Sequence, residues 1–573
     1  MPQLIKRLFN KFPSWHQWQK IPSVLNQKER YFIIALLILT ISSLMGWLIF
    51  HNLKDTIVAP NYGGSFSEGI VGSPIYINPV LSQANDSDRD VSELIFSGLL
   101  KYNSKGELVP DLAEKYNIGE NGKVYEFFLR KDIKWHDGKQ FTADDVIFTI
   151  NTIQNPDFRS PLRINWVGIE IEKVDDYKIK FKLKNAYAPF LSNTTVGIIA
   201  KHIWEKISPD NFSFVPENLE PIGTGPYKFK KAEKDKDGFI SRIELTAFGD
   251  YGSDKRPFIE KINLNFYPDE ESAIKAYNRG QVDNLNLFSI QSKTLLRGQT
   301  RSNIYELNLP RYFAVFFNQT KSKPLSDKTV RMALNYATNK KEIIDKVLGG
   351  EGRQVDSPIP DGVMYHADDL KIYDWAQEHA NNILEAAGWK DIDNDGIREK
   401  DGEKLEIELI TTELKELQQV ANLLSEQWAK IGAKINVKPM EIGVIQQEYI
   451  RPREYQALLF GEVLGLDPDP YSFWHSSQKK DPGLNLALYN NKKIDDLLST
   501  ARQILEPNLR TAKYKEFQQL VIDDAPVVFL YSSYNLYLAT KKIKGITVEN
   551  IVLPSKRFAD IEKWYIKTQR VKK

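Results

Sequence analysis

Near the N-terminus lies one long apolar run, whereas the rest of the chain shows short alternating patterns of apolar and polar residues. Residues 31–50 read YFIIALLILTISSLMGWLIF and contain no charged side chain. At a helical rise of about 1.5 Å per residue, such a run spans about 30 Å, the thickness of the hydrocarbon core of a bilayer. The pattern therefore predicts one transmembrane helix over 31–50, followed by a short stalk over 51–56.

The charges that flank this run predict its orientation. Residues 1–30 carry six basic side chains and one acidic side chain, Glu29, and an excess of bases favours the cytoplasmic side. We therefore expect a single-pass protein of the cell membrane, with 1–30 in the cytoplasm and 51–573 outside the cell. A cleaved signal peptide is the alternative. The apolar run is longer than a usual signal core, and the flanking His51-Asn52-Leu53-Lys54 lacks a small-x-small cleavage site.

After residue 60, strand-like and helix-like patterns follow one another, which is typical of mixed α/β architecture. Residues 405–409 alternate as a strand, a helical stripe of apolar residues runs through 417–431, and 433–437 form the next strand. This order predicts a βαβ unit with parallel, buried strands.

Two further local patterns predict particular structures. Thr142-Ala-Asp-Asp145 precedes a helical stripe and predicts a capping box. Residues 312–318 read YFAVFFN, which predicts a buried strand. Trp135 and His136, just before the capping box, are interpreted as packing residues rather than ligand contacts.

Composition and charge exclude several classes of function. From residue 51 onward the chain has 71 basic and 74 acidic side chains, whereas a nucleic-acid-binding protein would show a strongly basic domain. The absence of cysteine removes disulfides, thiolate catalysis, Cys-ligated zinc and the lipid-accepting cysteine of a lipoprotein. The usual hydrolase, phosphate-loop and dinucleotide motifs are absent too. We expect a non-enzyme with no cofactor, no catalytic metal and no nucleic-acid partner.

One acidic loop leaves two interpretations open. Asp391, Asp393 and Asp395 alternate ahead of Gly396, as at the start of a calcium-binding loop. The twelfth position is Gly402, where such a loop needs a bidentate acid. The loop is therefore either a solvated turn or a weak structural calcium site.

Five segments follow one another in order over nearly the whole predicted ectodomain. The first combines 98–100, 108–113, 128–138 and 141–146, and the others are 221–227, 318–340, 467–475, and 494–498 with 525–526. In this shared order they resemble the bacterial extracellular solute-binding proteins of family 5, which serve oligopeptide, dipeptide and nickel ABC importers.

The resemblance implies a periplasmic-binding-protein-like α/β fold of two lobes with an extra domain. Domain I would comprise 57–92, 222–310 and 537–573, domain II 93–221, and domain III 311–536. Gly223, Gly225 and Pro226 suit a tight crossover, which is what a hinge needs and equally what any domain boundary needs.

The resemblance also implies a ligand site in domain III. Relatives place an acid there that binds the ammonium group of a peptide, and in this chain that position is Leu466. Either the neighbouring Asp467 takes over this role or the ligand has no free amino terminus; Asp467 and Asp469 could equally be turn residues around Pro468. Further expected ligand-binding residues are Trp474, Asn485 and Tyr489, with Tyr312, Ala314 and Phe316 on a strand edge that would pair with the ligand backbone.

The expected function is the substrate-binding protein of an ABC importer, which captures short peptides between its lobes and delivers them to the permease subunits. We expect a monomer. An alternative is a binder or sensor of a non-peptide solute, such as an oligosaccharide or a metal chelate. An extracellular hydrolase on the same scaffold is a third, less favoured interpretation.

Overall fold

The computed structural model describes residues 15–16, 19–20, 25–252, 256–287, 290–297 and 299–573. Most of the predicted cytoplasmic segment 1–30 therefore lies outside the described residues. Contacts divide the chain into two units, which are described separately. The first comprises Met1–Asn61 and Lys567–Lys573, and the second comprises Tyr62–Ile566.

Strands occur throughout the part of the chain that the structure describes. In chain order they are β1 (Thr56–Asn61), β2 (Ser65–Val71), β3 (Leu100–Tyr102), β4 (Leu108–Pro110), β5 (Ala113–Gly119), β6 (Val124–Leu129), β7 (Ile169–Asp175), β8 (Lys178–Leu183), β9 (Tyr227–Lys234), β10 (Ile240–Ala247), β11 (Lys261–Tyr267), β12 (Asn284–Leu287), β13 (Ser302–Leu307), β14 (Arg311–Phe317), β15 (Gly352–Gln354), β16 (Glu399–Lys400), β17 (Glu403–Lys404), β18 (Glu406–Thr412), β19 (Lys434–Met440), β20 (Ala457–Val463), β21 (Val527–Ser533), β22 (Asn535–Thr540) and β23 (Lys567–Lys572).

Helices connect most of these strands. The α-helices are α1 (Gln27–Asp55), α2 (Asp86–Ile95), α3 (Ala143–Gln154), α4 (Phe190–Asn193), α5 (Lys201–Trp204), α6 (Glu270–Asn278), α7 (Lys323–Ser326), α8 (Lys328–Ala337), α9 (Lys340–Val347), α10 (Gln377–Ala386), α11 (Lys415–Ala429), α12 (Ile442–Val444), α13 (Tyr471–Trp474), α14 (Lys492–Ala501) and α15 (Pro507–Asp524). A π-helical turn covers Ile445–Ile450. Short 3-10 helices cover Ser82–Ala84, Glu120–Gly122, Pro156–Phe158, Pro161–Asn165, Pro209–Asn211, Pro216–Asn218, Ile290–Leu295, Gln299–Arg301, Ser476–Gln478, Pro554–Phe558 and Ile561–Lys563.

The first unit contains α1, β1 and β23. Helix α1 begins at a capping box in which the side chains of Asn26 and Glu29 each accept a hydrogen bond from the other's backbone N–H. It is the one described helix that is long and apolar enough to cross a membrane. It contains the predicted span 31–50 and extends through most of the predicted stalk. Strands β1 and β23 then pair antiparallel.

Three larger sheets organise the second unit. A seven-stranded sheet has the order β13-β22-β12-β2-β11-β10-β9, so its strands come from three widely separated parts of the chain. A six-stranded sheet has the order β15-β21-β14-β20-β18-β19, and a four-stranded sheet has the order β5-β6-β8-β7. The exact domain boundaries stay a prediction.

The local patterns predicted from the sequence are present. Strands β18 and β19 are parallel, and α11 between them buries Leu417, Val420 and Trp428, so the βαβ prediction is confirmed. The capping box at Thr142 and Asp145 is also confirmed. Asp145 has further partners, because it accepts hydrogen bonds from the backbone N–H of Lys201 at 2.9 Å and from Trp135 Nε1 at 3.4 Å.

Strand β14 is buried on both faces, as predicted, but it lies inside its sheet. Tyr312, Ala314 and Phe316 pack on one face, and Val315 and Phe317 pack on the other. Because β20 pairs with one edge of β14 and β21 with the other, the strand has no open edge for a ligand. The sequence pattern identifies burial correctly but does not tell an interior strand from an edge strand.

Candidate functional site

A cavity of about 210 Å³ lies between stretches of chain that are far apart in sequence. Its walls come from residues near the start of α2, from β3, from the segment after α4, and from the 3-10 turns at Pro554–Phe558 and Ile561–Lys563. Among the lining residues are Ser82, Ser92, Glu93, Lys101, Tyr102 and Lys556.

Several of the charged groups at this cavity occur in opposite pairs. Lys101 Nζ lies 2.8 Å from Glu562 Oε1, and Lys556 Nζ lies 2.6 Å from Glu93 Oε2. Burial raises the pKa of Glu93, although the Lys556 ammonium opposes that shift. These pairs give the wall polarity with little net charge, which suits a neutral or zwitterionic ligand better than a strongly charged one.

Hydroxyl groups supply further polar contacts in the cavity. The Ser92 hydroxyl is buried and has no hydrogen-bond partner within the described residues. Tyr102 is also buried, and its hydroxyl donates to Ser192 Oγ at 3.1 Å. A buried hydroxyl without a partner costs free energy unless a ligand or water binds it, so Ser92 is a candidate contact for a ligand or a water molecule.

The two predicted acids lie in a second cluster, and both already have cationic partners. Asp467 Oδ1 lies 2.8 Å from Arg510 Nη1, and Asp469 Oδ2 accepts a hydrogen bond from Arg502 at 2.6 Å. Arg510 is almost fully buried, and its guanidinium also donates to the Pro468 carbonyl oxygen at 3.2 Å. Asp467 is therefore neutralised by its own chain.

The Asp467 carboxylate is enclosed beside its cationic partner. Its Oδ1 atom is buried, and the Arg510 guanidinium lies 2.8 Å from it. Burial raises the pKa of Asp467, and the Arg510 guanidinium opposes that rise. Leu466, at the position where relatives place an acid, is buried and offers no polar atom in its side chain.

Tyr102 connects this acidic cluster with the cavity. It lines the cavity, and its phenol also lies within the electrostatic range of Asp467. Burial raises the pKa of Tyr102, and the Asp467 carboxylate raises it further. Tyr125 behaves similarly, because burial, with smaller contributions that include Asp467, raises its pKa to about 12. The Asp467 carboxylate thus acts on one residue of the cavity wall, but the lining residues come from 79–251 and 552–562 and do not include Asp467.

The same region is where the N-terminal half of the second unit meets its C-terminal half. The Arg502 guanidinium stacks 5.2 Å from the ring of Tyr187 and 4.2 Å from the ring of Tyr471. The backbone N–H of Ala188 donates to the Arg502 carbonyl oxygen at 2.8 Å. Arg502, which sequence reasoning missed, therefore joins the two halves beside the acids.

Trp474, Asn485 and Tyr489 are brought together, but inside the protein. Trp474 is almost fully buried and packs edge-to-face against Tyr489, with ring centroids 6.3 Å apart. The Asn485 side chain bonds the backbone of Tyr489 in both directions, at 3.0 Å each way. Through these contacts the three residues stabilise the segment that follows α13. Their role in ligand binding stays a prediction.

Tyr312 has a buried partner that the sequence analysis did not single out. Its hydroxyl donates to Glu462, which is 3% exposed and lies directly opposite it on β20. Burial raises the pKa of Glu462 to about 8. The available signal was one acid within the apolar strand ALLFGEV. The Tyr312 hydroxyl satisfies only Oε2 of Glu462, since Oε1 is buried without a hydrogen-bond partner among the described residues, and the pair lies inside the six-stranded sheet.

The predicted hinge glycines are tightly packed. A Cβ atom added to Gly223 would lie 1.9 Å from the carbonyl oxygen of Ile95. The backbone N–H of Gly225 donates to the same oxygen at 2.7 Å, and Pro226 lines the cavity. Close approach to the end of α2 explains both glycines, and their role as a hinge stays a prediction.

In the acidic loop, oxygens of Asp391, Asp393 and Asp395 lie within 4.8 Å of one another. Lys404 Nζ lies 2.9 Å from Asp393 and also pairs with Asp395. An internal ammonium thus stands where the sequence suggested a cation, and the question of calcium stays open.

Comparison with known proteins identifies the family. The sequence profile of the bacterial extracellular solute-binding proteins, family 5 (middle region), matches residues 107–484. The chain belongs to this family. The resemblance inferred from the sequence segments is therefore confirmed.

Individual relatives in the family match over nearly their whole length. The oligopeptide-binding protein AppA of Bacillus subtilis is 29% identical over 521 residues, which is 90% of this chain and 93% of AppA. The dipeptide-binding protein of Escherichia coli K12 is 28% identical over 83% of this chain and 91% of its own.

Solved structures confirm the periplasmic-binding-protein-like α/β fold. AppA of Bacillus subtilis in complex with a nonapeptide superposes with a TM-score of 0.67 at 28% identity, covering 89% of this chain and all of that one. NikZ of Campylobacter jejuni in complex with Ni(L-His) gives a TM-score of 0.69 at 28% identity, covering 87% of this chain and 99% of that one. With the family match, these comparisons show that this chain is a solute-binding protein of the family 5 type.

Proposed function

We propose that this family member is anchored in the cell membrane by α1, captures short peptides outside the cell and delivers them to the permease subunits of an ABC importer. The observation that carries the choice of ligand is the half-buried carboxylate of Asp467, which stands next to the position where relatives place an acid. Similarity to oligopeptide- and dipeptide-binding proteins over most of the chain supports the same choice.

A zwitterionic peptide suits this region chemically. The ammonium group would donate to Asp467 Oδ1, since charge-assisted hydrogen bonds are the strongest available to a neutral pocket. Hydroxyl groups such as that of Ser92 would form hydrogen bonds with the peptide amides, so binding would not depend on which side chains the peptide carries. The cavity volume of about 210 Å³ corresponds to about seven water molecules, which favours the short end of the peptide range.

The pairing of Asp467 with Arg510 favours a second candidate ligand. A small neutral or zwitterionic solute without an amino terminus would leave that pair undisturbed and still use the Ser92 and Tyr102 hydroxyls. Such a ligand would also explain why Leu466 stands where relatives place an acid. In the NikZ complex, a relative holds a metal chelate rather than a peptide.

Native mass spectrometry of the full chain, purified gently in detergent, distinguishes these ligands. We expect a set of co-purified short peptides whose addition raises the thermal midpoint. Asp467→Asn removes a charge-assisted hydrogen bond worth about 1.5–3 kcal/mol, so it should weaken peptide binding about tenfold or more. Asp393→Asn, in the exposed loop, is the matched control and should bind normally.

The other outcomes are equally decisive. Release of one defined non-peptide molecule would keep the binding role and remove the peptide assignment. Binding that Asp467→Asn leaves unchanged would refute Asp467 as the ammonium partner. A chain that neither carries nor responds to any small solute would contradict the proposal as a whole.

The anchor is tested separately. The side chains described over 31–50 are exposed, as expected of a helix meant for lipid. We expect the full chain to resist extraction from membranes by alkaline carbonate and to keep its N-terminal residues in the intact mass. A mass that begins near residue 52 would show a cleaved signal peptide instead.

A further inference from the structure

The strand that follows helix α1 pairs with the strand β23 at the exit of the helix. We call the pair β1 and β23, together with Lys573, the juxtamembrane ribbon. Its antiparallel register places Thr56 opposite Lys572, Val58 opposite Arg570 and Asn61 opposite Lys567. The C-terminal strand therefore runs back toward the helix.

The ribbon is bonded to the last turn of α1. The backbone N–H of Lys573 donates to the carbonyl oxygen of Asp55 at 3.0 Å. The Arg570 guanidinium donates to the carbonyl oxygen of Leu53 at 3.2 Å and to Thr56 Oγ1 at 2.8 Å. Helix termini leave their last carbonyl groups without partners inside the helix, and here the C-terminal strand supplies donors. The ribbon is thus a continuation of the helix rather than a loose stalk.

Given the proposed anchor, the length of helix between the apolar run and the ribbon determines how far the ribbon lies from the hydrocarbon core. The apolar run ends at Phe50 and α1 ends at Asp55, so about 8 Å of helix separates them. The headgroup region adds about 5–8 Å on each side of the hydrocarbon core. Thr56, and hence its partner Lys572, therefore lies at the level of the lipid headgroups or just outside them.

The side chains of the C-terminal strand carry only positive charge, and the acid at the same depth, Asp55 at the end of α1, lies 2.8 Å from His51 Nδ1. Residues 567–573 contain Lys567, Arg570, Lys572 and Lys573 and no acid, and β1 has no charged side chain. All four basic residues are exposed. Within the described residues, none of them forms an ion pair with an acidic side chain. A basic, exposed edge at headgroup depth fits a surface of anionic phosphates.

We propose that Lys572 and Lys573 bind the phosphate groups of anionic phospholipids at the outer face of the membrane, while Arg570 holds the ribbon on α1. This inference rests on the proposed anchor and adds an electrostatic contact to the hydrophobic one. Lys567 lies opposite Asn61, about 17 Å along the strand from the level of Thr56. That exceeds a Debye length of about 8 Å at physiological salt, so Lys567 serves as an internal control.

A single spin label on the full chain tests the contact. The chain has no cysteine, so Val58→Cys, at a site 60% exposed, can be labelled with a nitroxide. The labelled protein is placed in nanodiscs of phosphatidylcholine, alone or mixed with phosphatidylglycerol, at low and high salt. We expect slower label motion and lower accessibility to an aqueous relaxing agent only with phosphatidylglycerol at low salt.

Matched single variants measure how much each basic residue contributes to lipid binding by the ribbon. A base near an anionic surface contributes about fivefold to the equilibrium, so Lys572→Gln should lower the ratio of bound to free ribbon about fivefold. Lys567→Gln should change that ratio less than about twofold, because its charge is screened at its distance. The two variants remove the same charge from the same strand, and only their depth differs.

Flotation of the full chain with vesicles separates failure of the contact from failure of the anchor. A chain that leaves the vesicles overturns both the anchor and the lipid contact. A chain that floats but shows the same label behaviour with and without phosphatidylglycerol overturns the lipid contact alone. Equal effects of Lys572→Gln and Lys567→Gln, or restriction in phosphatidylcholine alone, would assign the ribbon to another partner such as an acidic protein surface and would also overturn the proposal.

Discussion

The buried Glu462 makes stability depend on pH in a calculable way. Burial raises its pKa from 4.5 to about 8 in the folded state, whereas an unfolded chain restores a value near 4.3. Between these values the folded state holds a proton that the unfolded state has released. The free energy of unfolding therefore falls as pH rises through this window, and the loss is complete above about pH 8.

The magnitude follows from the two pKa values. Each pH unit corresponds to about 1.4 kcal/mol, so Glu462 costs about 4 kcal/mol of stability at pH 7 and about 5 kcal/mol above pH 8. Glu462→Gln keeps the shape and a hydrogen bond to Tyr312 but carries no charge. We expect the variant to match the wild type near pH 4.5 and to be about 4 kcal/mol more stable at pH 7.

Urea unfolding at several pH values measures the difference in the free energy of unfolding between wild type and variant. Hydrogen exchange of peptides from β20 then shows whether the difference arises at this strand. Glu68 and Asp88 also have pKa values raised by burial, to about 7 and about 6, so the wild type alone would not isolate Glu462. The difference between wild type and variant cancels their contributions. Glu448→Gln, at an exposed position, is the control. A difference that does not change with pH, or a variant that is less stable throughout, would refute the reasoning.

Two further predictions concern packing in the second unit. Arg557→Met should destabilise the protein by about 3–5 kcal/mol in urea unfolding. Arg557 is fully buried, and its loss leaves Asp90, 2.6 Å away, as an unpaired buried carboxyl. An unchanged unfolding midpoint would contradict a buried ion pair. Gly223→Ala should cost at least about 3 kcal/mol, since its Cβ would lie 1.9 Å from a backbone oxygen, whereas Gly249→Ala meets nothing within 4 Å. Thermal midpoints compare the two alanine variants, and equal values would refute the packing argument.

The sequence was sufficient for features that depend on near neighbours. The apolar run 31–50 gave helix α1, the Thr142 capping box gave the start of α3, and the alternation around Leu417 gave a parallel βαβ unit. Each depends on residues a few positions apart, whose periodicity determines which side is buried. The family segments added the fold class, since their order is retained over most of the chain.

Features that join distant segments were decided only by the tertiary structure. The sequence places Tyr312 on a buried strand, but only the sheet order reveals that β20 and β21 cover both of its edges. Asp467 is an obvious candidate in the sequence, yet its partner Arg510 lies on another element and changes its charge balance.

The same distinction explains the cavity and the juxtamembrane ribbon. The cavity wall joins residues from α2, β3 and the C-terminal turns, and β1 pairs with a strand from the far end of the chain. The periodicity of apolar residues indicates which side of a segment is buried. Which other segment covers that side depends on a complementary surface elsewhere in the chain. For that reason the sequence alone determined the long apolar helix, the fold class and the family, and only the folded chain decided which polar groups face the cavity and which face one another.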